Sequence, residues 1–427
     1  VASLTDSQIN ALTTSQLRAL TAAQVKALTT SQLALLETGD IAAMTSSQIS
    51  ALSTTQFNTL SQEQIASFSS TQIKGLTAVQ IRTMTVDQAA AIEAADMSAL
   101  STLQLAAFST NNIAALSGSQ LAALTTTQIR NLTSAQLQTM SPQQLGGLSI
   151  SQTVSLTGTQ LSRLTTAQIA EGFTTDQIRS LSNTQLGSLT QIQIAGLTTD
   201  QVAALTSAQV KGLSAAQIKG LTSDQLQAME TEDFAALSST QIGALTTSQI
   251  SQLSGERIAE LSTAQIKGLN NAQLKSLSTD QLIQMETADF AALTTAQIAA
   301  FTPTEIAALT DEQIMNLTTT QVRALSSLQI PALAASKISL LPTAGITAMS
   351  NFQLGRLTAE QIADGLTTSQ LLALTSSQLA SLSPAQLASL TTLQLSALSS
   401  TQTRGFTINQ IKALTSDQIG ALETEDM

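Results

Sequence analysis

Leu12-Thr13-Thr14-Ser15-Gln16-Leu17-Arg18-Ala19 is one copy of an eight-residue unit that recurs along the whole chain. An apolar residue stands every eight positions from Leu4 to Leu164, again from Phe173 to Leu357, and again from Leu366 to Leu422, which gives 53 octads. The pattern is L-[ST]-x-x-Q-[ILV]-x-[AG]. Ser or Thr fills the second slot in 45 of the 53 octads and Gln the fifth in 43, so each slot needs a physical reason.

A Ser or Thr followed three residues later by Gln is a capping box, in which the hydroxyl accepts from the N3 amide and the Gln carbonyl from the N-cap amide. The Leu before the cap and the Ile or Leu after the Gln are the two halves of a hydrophobic staple. Every octad therefore writes out a helix start. Pro142, Pro303 and Pro384 each follow a capping Ser or Thr, which places them at N1, the helical position that favours proline. Glycines such as Gly75, Gly147, Gly172, Gly196, Gly212, Gly220, Gly268, Gly365 and Gly405 precede the next apolar residue, where a left-handed C-terminal cap is expected.

The spacing excludes the simpler folds. In one continuous helix each octad advances about 80° beyond two full turns, so the leucines would form no face. In a strand the Leu-to-Ile spacings of five and three would split the apolar pair between opposite faces. What remains is an all-α solenoid, or superhelix, of very short capped helices, one per octad. Such helices are unstable alone and must be held by their neighbours. Phe68, Phe108, Met140 and Phe301 occupy Leu slots and are read as core.

The chain is expected to be a single array over residues 1–427. Two one-residue phase breaks interrupt it near 172 and 365, in the related segments IAEGF and IADGL. A longer period of 193 residues superposes these breaks and much of the charge pattern, and 56 residues, or seven octads, separate Arg18, Lys74 and Arg130. Either the superhelix makes a whole number of turns in seven octads and lines like charges into stripes able to pair with another copy, or duplication carried the charges along. No distinct cap marks either end, so the array is expected to continue or to join further copies.

The composition excludes most chemistry. There is no Cys, His, Trp or Tyr, so thiolate, imidazole, haem and disulfide chemistry are absent. With 17 basic against 28 acidic residues and 2% aromatics, the chain has neither a basic stripe nor bases' stacking platforms, so no nucleic-acid partner is expected. No apolar run reaches the length of a membrane span. The serines and lysines lack a partnering base, and no enzymatic activity is expected.

Five octads replace the box by Glu-x-x-Asp: Glu37/Asp40, Glu93/Asp96, Glu230/Asp233, Glu286/Asp289 and Glu423/Asp426. These are the candidate calcium ligands, although each pair supplies two side chains where calcium wants six to eight oxygens. As first-turn acids they also favour the helix dipole, which explains them without a metal or any other cofactor. Arg257 and Lys337 stand in the Gln slot, either as markers of contacts or, since Gly345 is accepted there too, as tolerated defects, and the second reading is preferred.

The L-T-x-x-Q-[IL]-x-A octad resembles segments of giant bacterial secreted and cell-surface proteins described as adhesin-like. That resemblance spans Leu4 to Asp426 and implies an extracellular structural or adhesive component. The expectation is a structural protein that forms or joins a filament, tube or stalk by self-association. The alternative is an adhesin or an ice- or mineral-binding array.

Overall fold

In the computed structural model, residues 1–422 are described, and they form a succession of helices of about one turn joined by short links, most of two or three residues. The chain divides into two compact units, Val1–Leu221 and Thr222–Met427, and the same construction runs through each. Helix Thr14–Ala19 shows the scheme. Thr13 is extended at φ −74° and ψ 155°, the Gln16 amide donates to the Thr13 hydroxyl, and the Thr13 amide donates to Gln16 Oε1 at 2.8 Å. Pro142, Pro303 and Pro384 are each the first helical residue, as their spacing predicts.

The Gln side chain does more than complete the box. Gln104 Oε1 accepts from the Ser101 amide at 2.7 Å, while its Nε2 donates to the carbonyls of Ile73 and Leu76 at 3.0 and 2.8 Å. Those carbonyls belong to the C-terminal end of helix Ser70–Gly75, where a short helix leaves acceptors without partners. One side chain thus starts its own helix and closes another 28 and 31 residues earlier. In the first unit such bonds run from Gln32 on Leu4 to Gln217 on Leu189, and in the second from Gln265 on Leu237 to Gln418 on Leu390.

This fixes the coil at about 28 residues, or three and a half octads, per turn, so the seven-octad period of 56 residues is two turns. Within each unit helices accordingly pack on third neighbours along the chain, as Ser46–Ala51 does on Ser70–Gly75 in the first and Ser239–Ala244 on Thr263–Gly268 in the second. The staple residues fill the interior: Leu105, Ile113 and Ile129 are fully buried, and Phe68, Phe108, Met140 and Phe301 are 2–3% exposed. Burying each such side chain contributes roughly 1.5–3 kcal/mol, which is what holds helices too short to persist alone.

The glycines correct one expectation. No glycine among the described residues has a positive φ, so none acts as a left-handed cap; Gly147 and Gly196 sit at φ −78° and −84°. The carbonyls such a cap would close are already taken by Gln. The eighth slot is small because the preceding turn lies against it: a Cβ on Gly75 would stand 2.6 Å from Ser46 Cβ, and one on Gly268 would stand 2.5 Å from the Ser239 carbonyl oxygen.

The phase breaks are absorbed locally. Phe173 N donates four residues back to Ile169, where an ordinary octad reaches three back, and Leu366 N donates five back to Gln361 within the π-turn Gln361–Gly365. Across the first break Gln177 and Gln193 reach 29 residues back, and by Gln201 the interval is 28 again. A single extra residue in a helix is commonly housed as a π-bulge. Phe173 and Leu366 stay buried.

Candidate functional site

The Glu-x-x-Asp octads are the sequence's clearest chemical candidates, and the structure gives them helix-start positions. Glu37 and Asp40 rebuild the reciprocal box, with the Glu37 amide donating to Asp40 at 3.2 Å. Asp96 is buried in the Gln slot. Being shorter and lacking an N–H, it makes no bond to the carbonyls below and instead accepts from the Ser70 hydroxyl at 2.5 Å. Asp289 repeats this arrangement with Thr263 at 2.5 Å. Asp233 is buried likewise, whereas Glu93, Glu230 and Glu286 are exposed N-cap residues. Glu423 and Asp426 lie outside the described residues. Among the described residues no three carboxylates converge where one cation would need them.

Arg257 is not a defect. Its guanidinium donates to the carbonyls of Met229, 28 residues back, and Gln227, at 2.8 Å, which reproduces the contacts of the Gln it replaces. It also pairs with Glu260 at 2.7 Å and lies 5.0 Å from the centre of the Phe234 ring. A planar cation with five donors can take over an amide's two. Lys337 instead leaves the ladder to pair with Asp311, and a Cβ on Gly345 would stand 2.9 Å from Val322 Cγ2, so that slot is filled by packing.

The sequence reading missed the second role of Gln. The signal was present, since a capping box accepts Glu or Gln alike, yet Gln fills 43 slots and Glu only position 305. A preference that strong asks for a donor. On the surface, open grooves follow the seam between turns, as where Lys26, Thr54 and Val79 border one hollow. Among the described residues Glu63 is the one carboxylate whose acidity is clearly displaced: its own backbone N–H, and then the Ser61 hydroxyl, hold it below the usual carboxylate range.

A family model described as the ALTTAQ repeat matches residues 1–36, 33–70, 89–126, 172–207, 194–231, 226–263, 282–319 and 392–424. No curated protein matches. A solved structure described as "Structure of APUM23-GGAAUUGACGG" is 10% identical, over 99% of this chain and 93% of its own, at a TM-score of 0.17, which is too slight a likeness to carry an argument. No helix among the described residues is long and apolar enough to cross a membrane.

Proposed function

The chain belongs to the ALTTAQ repeat family, and from the way its turns bind one another we propose that it is a structural protein, an array that forms or joins an extracellular filament, tube or stalk. The observation that carries this reading is the Gln ladder. Each turn offers carbonyls to the turn that follows and amide hydrogens to the turn before, so a turn added at either side meets the same surface. Construction of this kind has nearest-neighbour energetics and no preferred length. The staple residues, the caps and the inter-turn Gln already account for most of the octad's slots, which leaves the outer residues to set contacts with other copies. The extracellular address follows the resemblance to secreted and cell-surface repeat proteins.

Electron microscopy of the full chain in negative stain tests the reading. Particles of constant width that lengthen with concentration support it. Compact, unassembled particles that attach to a ligand-coated surface overturn it in favour of an adhesive module.

A further inference from the structure

The 28-residue turn allows every charged residue to be placed around the coil by subtracting whole turns from its number. Arg18, Lys74 and Arg130 all give 18, and Lys26 and Arg82 give 26, with Arg163 at 23. The exposed acids of the same stretch fall elsewhere: Asp87 at 3, Asp6 at 6, Glu63 at 7, and Glu37 and Glu93 at 9. Half a turn is 14 positions, so the middle of the acidic arc and the middle of the basic arc are on opposite sides of the coil. Glu171 continues the acidic arc at 3. With one subtracted for the inserted residue near 172, Asp176 and Asp200 follow at 7 and 3, and Lys211 and Lys219 fall at 14 and 22. Arg179, at 10, donates instead to the Ala204 carbonyl of its own unit.

The second unit, taken by itself, repeats the division. From Asp224 to Glu312 the exposed acids occupy places 27 through 7, while Lys267, Lys275 and Arg323 occupy 14 to 22. Two cations stand within that acidic arc, Arg257 at 4 and Lys337 at 0, and these are the two that form ion pairs, with Glu260 and Asp311. The basic residues of the opposite arc are exposed and make no ion pair among the described residues. The division loosens only beyond Arg356, where Glu360 falls at 23 beside it.

We infer that this surface is built to meet a second copy of the same chain side by side, the basic arc of one against the acidic arc of its neighbour. The inference rests on the structural reading above and supplies its lateral contact. Complementary arcs on opposite sides make a heterologous contact, which does not close at a dimer and propagates into a ribbon or sheet of parallel coils. A single exposed ion pair is worth little. Columns repeated every 56 residues add many such pairs in one register, and they exclude the half-turn rotation that would set like charges together.

Sedimentation velocity of the full chain tests this, with circular dichroism as the check that each variant is folded. The wild type is expected to associate at about 0.02 M salt and to lose that association at about 0.5 M, where screening acts within a few ångströms. A variant with Lys74→Glu, Arg82→Glu and Arg130→Glu, and another with Asp6→Lys, Glu63→Lys and Asp87→Lys, are each expected to stay monomeric alone and to associate when mixed. All six residues are exposed and outside the ladder, so both variants keep the fold. Association that ignores these reversals, or a mixture that stays monomeric, overturns the lateral contact. Single rods of constant width in negative stain would then leave the structural reading standing without it, whereas compact particles would remove both.

Discussion

Residues 100–168 and residues 330–349 are built on the same repeat with very different local chemistry. In the first stretch nearly every helix has its box, as at Ser101/Gln104 and Thr125/Gln128. In the second, Pro331 sits in a 3-10 turn at Ile330–Ala332, the next two helices start at Ala334 and Pro342 without a capping hydroxyl, and Lys337 and Gly345 replace Gln. Yet helices Ala335–Leu340 and Thr343–Ala348 form, with Ile338 and Ile346 fully buried and Leu341 at 2%. Their carbonyls are also closed from the following turn, by Gln370 on Ile338 and Leu341 and by Gln378 on Thr347 and Met349. The staple and the neighbouring turn therefore sustain a helix whose own box is missing. The box refines the helix start rather than creating it.

If that ranking holds, truncating a staple residue has the largest effect and the same effect in both stretches. Ile129→Ala and Ile338→Ala are each expected to cost about 2–5 kcal/mol, the range for emptying a fully packed aliphatic site. Chemical denaturation with hydrogen exchange as a local probe measures both. A cost confined to the boxed stretch would show that the boxes carry more than the core does.

Next in size is the inter-turn bond. Gln104→Glu keeps an oxygen for the Ser101 amide but removes both N–H groups that serve Ile73 and Leu76, and sets a carboxylate against their carbonyls. Leaving buried partners unpaired costs on the order of 1–3 kcal/mol, so this substitution should fall in that range at neutral pH and recover in part where the carboxyl is protonated. Faster amide exchange is expected at the end of helix Ser70–Gly75, a full turn away from the substitution. Exchange that rises only around Ser101 would mean that the ladder adds nothing to the box.

The same comparison shows what the chain discloses of itself. Period eight, the Ser/Thr-x-x-Gln spacing and Pro at N1 were enough to place helix starts from residue types alone, because those interactions are local. The 56-residue rhythm even carried the turn length in doubled form. The inter-turn partners were not legible, because a bond from Gln104 to Leu76 depends on how far the coil advances per octad, which no local rule supplies. The glycines misled for the same reason: Gly75 looks like a cap in one dimension and is a clearance for Ser46 in three. The acidic pairs were legible as helix starts, but the burial of Asp96 and Asp289 and their hydroxyl partners came only with the stacked turns.

A smaller effect comes from restoring a missing cap. Ala334 has φ −63° and ψ 152°, close to the φ −72° and ψ 160° of Ser101, so a hydroxyl placed there finds the N-cap geometry already made. Ala334→Ser is expected to stabilise by about 1 kcal/mol, and Thr125→Ala in the boxed stretch to destabilise by about the same amount. The midpoints of denaturant unfolding compare the two. A neutral Ala334→Ser would mean that contacts with the following turn already fix the start of that helix.

The smallest effect is a test of the box through a proton. Glu63 is exposed, two residues after the capping Ser61, and its acidity is raised first by its own backbone N–H and then by the Ser61 hydroxyl. With the folded pKa depressed, the ionised form favours the native helix start: the contribution is present above the unfolded carboxyl value and is lost as pH falls through the folded one. Ser61→Ala removes the second cause and keeps the first, so the Glu63 titration followed by NMR should move part of the way back toward an ordinary glutamate. An unchanged titration would mean that the backbone N–H alone holds the carboxylate. A complete return would mean that the hydroxyl organises the whole first turn, which would bring the boxed stretch closer in dependence on its caps than the survival of helices Ala335–Leu340 and Thr343–Ala348 implies.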